Sequence, residues 1–145
     1  MPPLIRRYVK TSFVFLLAGL VLGAYVTVGQ AVSAYPPRLF VTAHVHLLLV
    51  GFMLMMVMGV ATWMFPRPAR HDRRYRPELA ETVYWVMTVS TAVRAAAELS
   101  APLLAMPWLP FVIALGGLGQ VAGAGLFVLI MWWRVRMPVM TPPTR

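Results

Sequence analysis

RLFVTAHVHLLLVGFMLMMVMGVATWMFPRP, residues 38–68, is the stretch whose reading decides the fold. It is a hydrophobic run of about the length that crosses the ~30 Å hydrocarbon core of a bilayer. His44 and His46 stand near its start, and no other ionisable residue appears before Arg67. An ionisable side chain inside such a run is costly, so it marks a site. Imidazole is the commonest protein ligand of metals and a regular axial ligand of haem iron. The stretch therefore predicts a membrane helix that holds something by histidine.

The rest of the composition fits that reading. The 145 residues leave room for one domain. They are 60% hydrophobic and 12% charged, with a mean hydropathy of +0.74, the balance of an integral membrane protein. There is no cysteine, which excludes disulfides, zinc–thiolate sites and covalent c-type haem. The net charge of +9 resembles a nucleic-acid signal, but the arginines fall at helix ends. There they orient helices and meet anionic lipid, so no nucleic-acid partner is expected.

Working outward, the pattern predicts an all-α integral membrane protein, a four-transmembrane-helix bundle in a single domain (1–145). A basic tail with Pro2, Pro3, Arg6, Arg7 and Lys10 precedes a first helix over about 11–34. That apolar run is too long for a cleavable signal and is read as a retained helix. Tyr35-Pro36-Pro37 ends it. The second helix covers about 39–65, the third about 79–101 and the fourth about 110–133. The connector PRPARHDRRYRPE, residues 66–78, gathers Arg67, Arg70, Arg73, Arg74 and Arg76, whereas the turn at 102–110 has no basic residue. The positive-inside rule then places both termini in the cytoplasm, in an inner (cytoplasmic) membrane. Gly19, Gly23 and Gly29 permit close helix approach, and Gly119 with Gly123 favours tight packing or a dimer contact.

Residues two apart on a helix project about 200° apart. His44 and His46 therefore face different neighbours and cannot chelate one metal from a regular helix. His44 shares a stripe with Gly51, where a missing side chain would let a flat macrocycle lie on the backbone. His46 reads equally as an interhelical hydrogen-bond partner. Met53, Met55, Met56 and Met58 suggest soft Cu(I) ligation, but their spacing sprays them around the helix, as adaptable packing does. Arg94 and Glu98 lie four apart on the third helix and share a face. They form a structural ion pair, or Arg94 meets a haem propionate and Glu98 orients a histidine N–H. Gln120 and Tyr84 are read as interhelical hydrogen-bonding residues, and the five tryptophans as an interfacial belt.

The pattern R-x5-H-x-H-L-L-L-V-G-x11-W-x-F-P, from Arg38 through Trp63-Met64-Phe65-Pro66, resembles the second transmembrane helix of haem–copper oxidase subunit I. The similarity is to the nitric oxide reductase and cbb3-type branches. It covers about 30 residues well, and small four-helix homologues of that subunit look similar over their whole length. The resemblance implies that His44 holds a low-spin haem b, with Arg38 at a propionate. His46 stands where that family has Asn, so its role is not carried over. The family's copper-site histidines come from helices far down a longer chain, so the resemblance does not extend to the oxidase reaction.

A second axial ligand is not evident on the same side of the membrane, because His71 lies in the cytoplasmic connector. A two-fold homodimer that shares the haem site supplies one. The sequence thus predicts a haem b protein for electron transfer or diatomic-gas binding, with respiratory-chain proteins as possible partners besides the lipid bilayer. Two alternatives stay open. One is a copper or zinc protein using His44 and His46. The other is a cofactor-free accessory or assembly subunit of a respiratory complex.

Overall fold

The computed structural model describes residues 2–65, 77–104 and 106–135. Among them it is all-helical. Helix α1 is Pro3–Ala31, α2 is Arg38–Met64, α3 is Pro77–Leu104 and α4 is Leu109–Arg134. Three helices are long and apolar enough to cross a membrane: α1, α2 and the Leu109–Trp132 part of α4. Helix α3 is more polar, because Glu78, Glu81, Arg94 and Glu98 interrupt it.

Three boundaries differ from the sequence reading. Helix α1 begins at Pro3, with proline in its first turn, so the expected basic tail is helical. Proline is tolerated there because the first N–H groups of a helix have no intrahelical partner. The same helix stops at Ala31, ahead of the Tyr35-Pro36-Pro37 stop. Ser33 takes a left-handed φ of 57°, Ala34 N–H donates to Gly29 O and Ser33 N–H to Gln30 O. This is a Schellman closure with serine in the usual glycine position. Helix α3 runs through Pro102 to Leu104. A proline in the last turn gives up one backbone bond, and its fixed φ suits a helix.

The chain forms two antiparallel hairpins, α1–α2 and α3–α4, which meet through α2 and α3. Glycines set the approach in both. On α1, Gly19 faces Leu48 and Gly23 faces His44. On α4, Gly119 faces Ser90 and Gly123 faces Met87. Gly119 and Gly123 thus serve the tight packing of α4 on α3, the first of the two uses their spacing suggested. The core joins Tyr8, Phe15, Leu47, Met55, Met58, Tyr84 and Met87. At the arginine-bearing end, Arg134 donates to the carbonyls of Thr62 (3.0 Å) and Phe65 (2.6 Å). It thereby caps the carbonyls left open where α2 ends.

The outer faces are apolar. Val21 on α1 and Val121 on α4 are each 72% exposed, and large hydrophobics surround both. Soluble monomers do not expose apolar surface continuously along whole helices. Lipid is the solvent these faces suit.

Candidate functional site

Helix α2 is continuous, but its turns widen to π-helical form over Leu47–Leu54, directly after His46. Such widened turns recur at functional sites. The two histidines stand at the last α-helical turn before it, one on each side of the helix.

His44 points at α1. A Cβ at Gly23 would stand 2.5 Å from His44 Cε1, so the ring occupies the space a side chain would need. Its Nδ1 lies 2.8 Å from the carbonyl oxygen of Gly19. A carbonyl only accepts, so Nδ1 carries the hydrogen and donates it. In the neutral ring this tautomer puts the lone pair on Nε2, and among the described residues no hydrogen bond engages that atom.

His46 points at α3. Its Nδ1 is 3.1 Å from Oε1 and 3.2 Å from Oε2 of Glu98. Glu98 is 0% exposed. Arg94 Nε donates to the same carboxylate at 3.0 Å, and Arg94 Nη1 donates to Gln120 Oε1 at 3.0 Å. Gln120 Nε2 donates in turn to Thr91 Oγ1 at 3.2 Å. The network crosses from α2 through α3 to α4. It exists because α4 offers glycine where Arg94 passes: a Cβ at Gly116 would stand 2.7 Å from Arg94 Cβ. A buried carboxylate persists only when paired and hydrogen-bonded in this way.

The structure separates the histidines as the helical spacing predicts. It joins Arg94 to Glu98, Gln120 to α3, and Tyr84 to Thr11 of α1 (2.8 Å). Glu98 does hold a histidine N–H, that of His46. Arg94 is not brought to His44: its guanidinium is committed to Glu98 and Gln120, whereas the His44 ring packs against α1. Gly51 offers no bare backbone either. The Phe15 ring fills its place, 2.7 Å from where a Cβ would stand, so the macrocycle seat expected there is helix packing. Arg38 is exposed in the first turn of α2. Of the four methionines, Met55 and Met58 are core and Met53 is exposed. His71 and the 66–76 part of the connector lie outside the described residues. Among the described residues no group of three His, Cys, Asp or Glu side chains converges to hold a metal ion.

Sequence reasoning missed the Gly19 carbonyl, the Gly23 seat and Thr91. The i,i+4 spacing of Gly19 and Gly23 signalled a close approach, but nothing in it named His44 as the group approaching. An open apolar groove of about 470 Å³ runs between α3 and α4, lined by Trp85, Val89, Val93 and Leu115 among others. Neither histidine lines it. No family model, curated protein or solved structure matches the chain.

Proposed function

We propose that this chain is a four-transmembrane-helix protein of a cytoplasmic membrane, with both termini inside, that binds haem b through His44. One observation supports the reading above others: the Nδ1–H···O=C bond to Gly19, which fixes the tautomer and leaves Nε2 as a ligand. Metal-bound histidines are commonly oriented by such a bond. The resemblance of Arg38–Pro66 to the haem-bearing helix of oxidase subunit I points the same way. The donor atom fits the group; the Gly51 seat does not, so His44 alone would hold the haem iron from this chain. The haem would supply one-electron chemistry or a gas-binding iron. A second copy of the chain would supply a further histidine in a homodimer, which would suit electron transfer; without it the iron would stay open for a diatomic gas.

A second reading has its own support. The contacts of His46 Nδ1 with Glu98 lie wholly inside the chain, as in a cofactor-free accessory subunit whose buried charges fix helix register. A copper or zinc site needs ligands from two copies.

The test is the reduced-minus-oxidised absorption spectrum of purified protein from haem-supplied cells, with haem counted per chain. A b-type spectrum that disappears in His44→Ala and survives in His46→Ala is the expected result. One haem per two chains assigns it to the dimer. A colourless protein overturns the haem reading and leaves the accessory subunit.

A further inference from the structure

Five hydroxyls in the helices are satisfied in the same way. Thr27, Thr42, Thr62, Thr82 and Ser100 each donate to the carbonyl four residues before them. This is the usual way a hydroxyl is satisfied in an apolar setting. Thr88 does not. Its Oγ1 is buried and has no partner among the described residues. Tyr8 is the second such group: the residue is 1% exposed and its hydroxyl has no partner among the described residues. Its Cβ packs on Gly59 of α2, and its ring meets the edge of Tyr84 on α3 at 5.1 Å. Thr88 is one turn beyond Tyr84 on the same face of α3. Both orphan hydroxyls therefore belong to the seam where α1, α2 and α3 meet.

Tyr84, Thr88, Thr91 and Glu98 recur at helical spacing along that face, with Ala95 between the last two. The face covers about 21 Å at 1.5 Å per residue. It begins at the arginine-bearing end, where Thr11 bonds Tyr84. It ends at Glu98, which Gln120 and Arg94 link back to Thr91. Buried polar atoms without protein partners are as a rule bridged by internal water, which needs two to four polar contacts. Tyr84, Thr11, Tyr8 and Thr88 offer them.

We infer that this hydroxyl face binds internal water at its arginine-bearing end, a short water path lined by Tyr8, Thr11, Tyr84 and Thr88. Its ligand is water, and it does not depend on the haem reading.

Water-edited solid-state NMR of the labelled protein in bilayers tests it. Magnetisation from water should reach Tyr8 and Thr88 as fast as it reaches exposed Arg6. It should reach the buried Phe15 and Leu47 several-fold more slowly. Thr88→Val should slow transfer to Tyr8 without altering Arg6. Transfer to Tyr8 and Thr88 at the slow rate of Phe15 overturns the path. So does unchanged transfer to Tyr8 in Thr88→Val. A folded Tyr8→Phe variant, read at Thr88, gives the same decision if the threonine variant does not fold.

Discussion

The two sides of α2 solve the same problem with opposite chemistry. On the α1 side, His44 rests on Gly23 and donates to a backbone carbonyl. On the α3 side, His46 donates to a carboxylate that is itself 0% exposed and held by Arg94. The first contact has no formal charge and depends on shape: a side chain must be absent at Gly23. The second depends on charge balance across three helices. A shape-based seat fails by crowding, and a charge-based one fails when a single partner is removed. His44 is thus held by shape, while His46 is tied into what keeps Glu98 tolerable in an apolar interior.

The largest effect expected is on the charged side. Arg94→Ala leaves Glu98 buried with only His46, and breaking a buried pair in this way costs about 3–5 kcal/mol. Unfolding in mixed micelles should show that loss. Replacing both residues, Arg94→Leu with Glu98→Leu, should recover most of it, because no uncompensated charge then remains. Equal stability of the single and double variants would mean that the pair is not the desolvated unit described.

The next effect is on the neutral side. Gly23→Ala places a methyl 2.5 Å from His44 Cε1, and such overpacking costs about 1–3 kcal/mol. The ring must move off Gly19, so this variant should also lose any haem spectrum, although residue 23 carries no ligand atom. Gly51→Ala meets the Phe15 ring instead. It should destabilise by a similar amount and leave His44 seated. A variant pair with matched stability and different spectra would separate the His44 seat from general packing.

Truncating the histidines compares the two sides directly. His46→Ala removes a hydrogen bond to a charged group, worth about 1.5–3 kcal/mol, and His44→Ala a neutral one, worth about 0.5–1.5 kcal/mol. In haem-free protein the His46 variant should therefore melt lower. The opposite order would show that the Gly23 seat contributes more than the carboxylate.

What the sequence revealed follows the range of the interaction. Helix positions came from hydropathy, which is local. The Arg94–Glu98 pair came from i,i+4 spacing within one helix, and the opposed histidines from the angle between residues two apart. The partners across helices were hidden. Gly51 and Gly23 look alike in sequence, yet one meets Phe15 and the other His44, and only the antiparallel register of α1 on α2 decides which. The π turns at Leu47–Leu54 follow no spacing that the hydropathy pattern reveals. Pro102 misled as a stop because it falls in the last turn of α3, which runs on only to Leu104.

The smallest effect concerns a second Arg–Glu pair that looks equivalent on paper. Arg7 Nη1 lies 2.7 Å from Glu81 Oε1, closer than Arg94 Nε lies to Glu98. Its side chains, however, are 50% and 53% exposed. Water and counter-ions at the bundle end screen it, and exposed pairs contribute about 0.2–1 kcal/mol. Arg7→Ala should therefore shift unfolding by less than the Arg94 variant and lose even that in high salt, whereas the Arg94 effect should persist. Distance alone ranks the two pairs the other way round. A salt-insensitive loss in Arg7→Ala as large as that in Arg94→Ala would show that length, not burial, sets the strength of these contacts. The contrast between the two sides of α2 would then lose its basis.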